Sequence, residues 1–270
     1  MRLVVAATAP LGASVLERLA VRHEVTMLLT RPDSRRGRGR RPAPSPAKEA
    51  AARRGIPVAQ PKVLVQVPGD TDVIVVVAYG LLIPGELLEQ RLWLNVHPSL
   101  LPRWRGAAPV ERALMAGDLE TGVTIHRTTA ELDAGPIAAQ QAFAIAPEDD
   151  AGVVYERSAE VAVALLDQVL PNPTFTPQPA EGVTYADKIT SEDREIDWDA
   201  PPGETINRVR GLSPHIGARG TVDRSRLLVW KARLATGGVD GLPVGPVELL
   251  EVQPEGGRRM AAADYLRGRR

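Results

Sequence analysis

The sequence contains no cysteine, which excludes a disulfide framework, a thiol nucleophile and a cysteine-ligated zinc. Histidine is scarce too. Four residues scattered along the chain give a metal site little support, and none is expected. No apolar run is long enough to span a membrane. The opening MRLVVAATAP has a short apolar run without a clear cleavage pattern, so it reads as a first strand rather than a signal peptide. A cytoplasmic protein is the expectation. Net charge is lacking as well: 33 basic residues balance 33 acidic ones, which argues against wholesale coating of nucleic acid.

What is present is enough apolar material for a real core. At 270 residues and 44% hydrophobic, the chain suits one large or two modest domains. Arg2 to Ala7 is an apolar run of strand length. Leu11, Val15, Leu16 and Leu19 then recur with helical spacing, and Glu24 to Leu29 returns as a strand. This βαβ opening implies a parallel sheet with right-handed crossovers. The turn after the first strand, ATAPLGA, lacks the GxGxxG of a dinucleotide site, which disfavours a nicotinamide dehydrogenase. Ser45 and Pro46 read as N-cap and first position of a helix closed by Gly55. Asp72 to Ala78 is a β-branched run, buried on both faces if parallel. Gly122 to Thr128 and Ile137 to Ala144 read as strands, and a long helix from Asp150 to about Leu170 covers the sheet.

The stretch LWLNVHPSLLPRWRGAAP, Leu92 to Pro109, is where chemistry is expected. Asn95 and His97 are two apart on a strand, so their side chains leave on one face, and Pro98 then ends the pairing. An amide beside an imidazole, where a strand opens into a loop, can supply two donors to a developing oxyanion. On residue type alone, Asn95 could equally be a turn-former and His97 a satisfied structural residue. Pro109 to Ala116 then reads as a helix stopped at Gly117. A basic segment, Arg31 to Lys48, carries seven basic residues and one acid, and its Arg-Gly alternation cannot pack a core. It reads as an exposed loop, either solvated or in contact with nucleic acid. His126 reads as structural and is left out of the site.

The company of these motifs carries a resemblance. LNVHPSLLPRWRGAAP followed by ELDAGPI from Glu131 resembles the formyltransferases that use 10-formyltetrahydrofolate, and RPD…GRGRR…PSPAK, IDW (Ile196 to Trp198) and VQPEGGRRMAAADYLRG resemble their transfer-RNA branch. The resemblance covers nearly the whole chain. It implies a Rossmann-like, mostly parallel α/β catalytic domain over residues 1–187, a linker over 188–203, and a shortened, β-rich, truncated OB-like domain over 204–270. Only ARLATGGVDGLPVGP separates the Trp230 strand from VELLEV, where the family has more strands, so an open sheet is possible there and tRNA contact by this domain is put in doubt.

The resemblance also assigns roles. Asn95, His97 and Asp133 become the catalytic set, with Asn95 and His97 as oxyanion donors and Asp133 raising the imidazole pKa and orienting a proton-carrying water. Tyr79, Gly80, Leu82, Ile83, Ser99, Leu100, Leu101 and Pro102 become the folate-binding residues. Arg36, Arg38, Arg40 and Arg41 become tRNA-binding. Arg103 and Arg105 either meet phosphate or brace the loop, and Trp104 either stacks on a base or packs. The implied activity is formylation of initiator methionyl-tRNA for translation initiation, by a monomer acting with 10-formyltetrahydrofolate and without metal. A sugar-nucleotide formyltransferase, a formyltetrahydrofolate hydrolase with water in place of the amine, and a non-catalytic tRNA-binding module are the rival readings.

Overall fold

Strands that are apolar on both faces need cover on both, and the N-terminal part of this chain is built that way. The computed structural model describes residues 1–36, 41–67, 71–237 and 241–268. These fall into two compact units by internal contacts: residues 1–105, 122–143 and 155–184, and residues 106–121, 144–154 and 185–270.

The first unit holds a seven-stranded sheet. From edge to edge its strands are Ile137–Ala144, Glu120–Arg127, Leu92–His97, Val73–Val77, Arg2–Ala7, Glu24–Leu29 and Val58–Ala59. Pairing is parallel from Leu92–His97 through to Val58–Ala59 and turns antiparallel where Leu92–His97 meets Glu120–Arg127. Strand alternation sorts the core. Leu3, Val5 and Ala7 point to one face and pack with Leu16 and Leu19 of the Pro10–Arg22 helix and Leu166 of the Ala151–Val169 helix. Val4, Ala6, Ile74, Val76 and Trp93 point to the other and pack with Leu29, Leu87 and Leu88. Leu87 and Leu88 belong to a short helix, Gly85–Gln90, whose Leu87 carbonyl accepts from the Trp93 indole at 2.8 Å. The expected mostly parallel sheet is present.

The Pro46–Arg53 helix starts as anticipated, with the Ser45 hydroxyl accepting from the Lys48 amide at 3.1 Å. The basic segment is more ordered at its flanks than a plain loop: Ser34–Arg36 and Arg41–Ala43 pair as an antiparallel hairpin, with Arg36 opposite Arg41. Arg38 and Arg40 lie outside the described residues.

The second unit is built on an antiparallel sheet. Its order is Ala218–Val222, Ser225–Leu234, Val247–Pro254 and Leu242–Val244, with Met260–Ala261 also pairing to Val247–Pro254. Among the described residues no pairing joins its edges, so the sheet is open rather than a closed barrel. Asp223 and Arg224, both at positive φ (46° and 64°), form the two-residue turn that the first of these hairpins needs. The Pro202–Leu212 helix contributes Val209 and Leu212 to the core formed with Leu227, Val229, Leu249 and Val252. The Pro109–Ala116 helix belongs to this unit, and Gly117 ends it in the left-handed conformation. Its Arg112 makes paired hydrogen bonds to Asp193 at 2.7 and 2.8 Å, which pull the Asp193 carboxyl down to about 2. Among the described residues no helix is long and apolar enough to cross a membrane.

Candidate active site

Asn95 and His97 share a sheet face with Trp93, because side chains two apart on a strand point the same way. In the register, Asn95 lies between Val76 of the parallel neighbour and His126 of the antiparallel one, and His97 lies opposite Thr124. The cluster therefore sits at the carboxyl ends of parallel strands, where open α/β sheets bind ligands. Asp133 reaches it from the loop between Glu120–Arg127 and Ile137–Ala144. Ala78, Trp104 and Asp133 all have positive φ (46°, 63° and 46°), a conformation costly for residues with a side chain. Such strain collects where surroundings must hold a functional group in place.

The hydrogen bonds assign atoms. Asn95 Nδ2 donates to Asp133 Oδ1 at 3.2 Å and to His126 Nε2 at 3.0 Å. Turned over, the amide would set its oxygen against the carboxylate, so this orientation holds while Asp133 is ionised. His126 Nδ1 lies 3.0 Å from the Arg127 carbonyl, which can only accept; the ring hydrogen is therefore on Nδ1 and Nε2 receives the Asn95 donor. His97 has the opposite tautomer. Its Nε2 donates to the Trp104 carbonyl at 2.8 Å, and its Nδ1 faces Asp133 Oδ2 at 3.7 Å. That separation exceeds a direct hydrogen bond and leaves room for a shared proton donor.

The proton affinity of His97 departs from the sequence expectation. The Asp133 carboxylate and the Trp104 carbonyl do raise it, but burial acts more strongly, and the net direction is downward from the ordinary 6.5. His97 is 4% exposed, so its charged form loses most of its hydration. It rests as a neutral imidazole with a lone pair on Nδ1 rather than as a preformed cationic donor.

Around the cluster, the residues assigned to folate divide into surface and support. Gly80 and Leu82 are exposed, and Ile83, Leu100 and Pro102 are half-buried. Ser99, Leu101 and Tyr79 are buried. The Ser99 hydroxyl donates to the Arg103 carbonyl at 2.7 Å, and the Thr124 hydroxyl accepts from the Leu101 amide while donating to the Ser99 carbonyl. Tyr79 is held through its carbonyl, which accepts from Thr8 at 2.8 Å; its buried hydroxyl has no hydrogen-bond partner among the described residues, and burial pushes it up to about 12. Arg105 is buried, whereas the exposed Arg103 lies over the Trp104 ring at 4.5 Å. Arg36 and Arg41 lie opposite each other on the hairpin already described.

His126 is the residue that sequence reasoning left out. Its Nε2 lies 3.6 Å from Asp133 Oδ1 as well as bonding Asn95, so it completes the cluster. Only the cross-strand register reveals this, and nothing within GVTIHRT signals it.

Comparison with known proteins identifies the family. The formyl transferase domain family matches residues 1–170, and the formyl transferase C-terminal domain family matches residues 188–244. The methionyl-tRNA formyltransferase of Paracoccus denitrificans is 43% identical over 99% of this chain and 97% of its own length. That of Methylobacterium sp. strain 4-46 is 43% identical over 92% of this chain and 89% of its own. Among solved structures, HypX from Aquifex aeolicus in complex with tetrahydrofolic acid superposes with a TM-score of 0.68 at 21% identity, over 98% of this chain and 46% of that one. An N-formyltransferase from Helicobacter canadensis, bound to folinic acid and dTDP-3-aminofucose, gives 0.68 at 15% identity, over 96% and 98%. Those two likenesses concern the fold, whereas the family matches and the bacterial relatives concern descent: the chain belongs to the formyl transferase family and, within it, groups with the methionyl-tRNA formyltransferases.

Proposed function

We propose that this chain transfers the formyl group of 10-formyltetrahydrofolate to the amino group of initiator methionyl-tRNA, with Asn95, His97 and Asp133 as the reacting cluster. The supporting observation is their convergence. An amide with two N–H groups, an imidazole with a lone pair on Nδ1 and a carboxylate meet at the carboxyl ends of the parallel strands. The amine attacks the formyl carbon, the carbonyl oxygen becomes an oxyanion, and the bond to the folate nitrogen breaks. One proton leaves the amine and one arrives at the departing nitrogen. His97 Nδ1 and Asp133 Oδ2, 3.7 Å apart, take and return it. Once protonated, His97 joins Asn95 as a donor to the oxyanion.

The folate lies along the apolar surface of Leu82, Ile83, Leu100 and Pro102, with Gly80 letting its ring approach the backbone. Tyr79, Ser99 and Leu101 shape that wall. The arginines of the basic segment, Arg36, Arg38, Arg40 and Arg41, meet phosphates near the acceptor end.

The test is a transfer assay with 10-formyltetrahydrofolate and charged initiator methionyl-tRNA. Asn95→Ala, His97→Ala and Asp133→Ala, each checked for fold by circular dichroism, are run beside the wild type. Losing one oxyanion donor costs about 100- to 1000-fold in rate. Near-full activity in folded Asn95→Ala would show the assignment wrong. Formylation of a nucleotide-linked aminosugar in place of the tRNA would move the acceptor, not the chemistry.

A further inference from the structure

The segment Pro171 to Pro179 lies within the proline-rich stretch Leu170 to Lys188, which reads in the sequence as the end of the first domain. In the structure it turns back onto the catalytic loop. Thr176 and Ile137 exchange both backbone hydrogen bonds, at 2.8 and 2.9 Å, so the segment runs antiparallel beside the Ile137–Ala144 edge strand. Pro177 and Pro179 flank Gln178 and restrict its backbone, which limits where its side chain can go.

That side chain is fully engaged. Gln178 Nε2 donates to the carbonyls of Asp133 and Gly135 at 2.7 and 2.8 Å. Its Oε1 accepts from Arg105 Nε and Nη2 at 3.1 and 2.7 Å. The two carbonyls can only accept and the guanidinium can only donate, so the amide has a single possible orientation. Arg105 is in turn buried at 8% exposure, and its Nη1 lies 3.6 Å from Glu131, in the same loop as Asp133.

We infer that Gln178, oriented by Arg105, is a positioning residue that holds Asp133 in its left-handed backbone conformation and aims its carboxylate at Asn95 and His97. The inference rests on the reaction proposed above. A non-glycine residue at φ +46° persists only when its surroundings over-determine it, and the hydrogen bond to its own carbonyl is the most direct way to do so. Gln178 touches no reacting atom. Its effect passes through the placement of one carboxylate, and misplacement by about 1 Å can cost on the order of 100-fold in rate.

The experiment compares Gln178→Ala, Gln178→Glu and Asp133→Ala in the full chain, reading kcat, both KM values and the melting temperature. Gln178→Ala is expected to lose roughly 10- to 100-fold in kcat, with each KM within about threefold and the melting temperature within a few degrees. Gln178→Glu keeps the partner for Arg105 but has no N–H for the two carbonyls, so it is expected not to rescue. The inference is overturned if Gln178→Ala keeps kcat within twofold, if Gln178→Glu restores it, or if the losses follow unfolding alone. Should Gln178→Ala fail to fold, Gln178→Glu decides by the same kcat criterion. An unimpaired Asp133→Ala would instead overturn the proposed reaction. An inactive Asp133→Ala beside a normal Gln178→Ala would remove only the role of Gln178.

Discussion

Asn95 and His126 stand directly opposite each other in antiparallel register, and the Asn95 amide donates to His126 Nε2 at 3.0 Å. The second Asn95 donor goes to Asp133 Oδ1 at 3.2 Å. Both N–H groups of the proposed oxyanion donor thus have protein partners that fix the plane of the amide. To donate to the oxyanion, the amide must exchange one of these partners for the developing charge, while the other bond keeps its plane.

His126→Leu should therefore impair turnover without abolishing it. The leucine leaves one Asn95 N–H without its partner and frees the amide to rotate. The expected outcome is a kcat lower by about 10-fold, less than the 100- to 1000-fold expected for Asn95→Ala. Steady-state kinetics on the folded variant decides it. A kcat unchanged within twofold would mean that Asp133 alone orients the amide.

How far this site could be read from the sequence follows from which contacts are local. Asn95 and His97 share a face because they are two residues apart on one strand, and that needs no tertiary information. Asp133 was legible only through family resemblance. His126 was not legible, since it meets Asn95 through a pairing across 31 residues whose register depends on packing. The same limit applies to Gln178, which sits in a stretch that reads as a domain exit. In the second unit, the Pro202–Leu212 helix follows Pro201, begins with Pro202 and Gly203 and contains Gly211, residues that break a helical pattern in the sequence. The short strands Ala218–Val222 and Leu242–Val244 carry glycine or proline that obscures their alternation. For His97, the neighbouring carboxylate was foreseeable but the depth of burial was not, and burial decides the direction of its proton affinity.

That direction makes a pH prediction. In the unfolded chain an imidazole binds its proton near 6.5, and in the folded protein His97 binds it at lower pH. Stability from burying neutral His97 is complete above 6.5 and is lost as pH falls from 6.5 toward the folded value. The His97 ring nitrogens, followed by NMR, should titrate below 6.5 with the hydrogen on Nε2. The acid limb of kcat/KM should fall in the same range, because a protonated Nδ1 cannot accept the amine proton. A midpoint at or above 6.5 would reverse the assignment and restore a cationic donor at rest.

Gly135 supports the same loop by having no side chain. A Cβ placed there would lie 1.8 Å from the Arg127 carbonyl oxygen, so the backbone must move to admit it. Gly135→Ala should cost roughly 1–3 kcal/mol of stability, the range for overpacking a close contact. It should also lower kcat, because the displaced peptide carries one of the two carbonyls bonded by Gln178. Thermal unfolding and steady-state rates, measured on the same preparation, test both halves. A variant with wild-type stability and rate would show that the loop accommodates the methyl without moving Asp133.

The last prediction concerns the basic hairpin, which can act in binding without touching the chemistry. The chain has no net charge to attract RNA as a whole, so any electrostatic attraction must come from clustering. Replacing Arg36, Arg38, Arg40 and Arg41 with glutamine should weaken tRNA binding and flatten its dependence on salt. Each phosphate contact contributes about 0.7–0.9 to the slope of log K against log salt. Four lost contacts would therefore reduce that slope by roughly 3. The KM for the formyl donor should stay unchanged, since the residues proposed to hold the folate lie on other segments. Titration of initiator tRNA between about 50 and 200 mM salt makes the measurement, a range over which phosphate-driven binding changes by orders of magnitude. An unaltered slope in the quadruple variant would place the phosphate contacts elsewhere on the chain and leave the hairpin as a solvated surface feature.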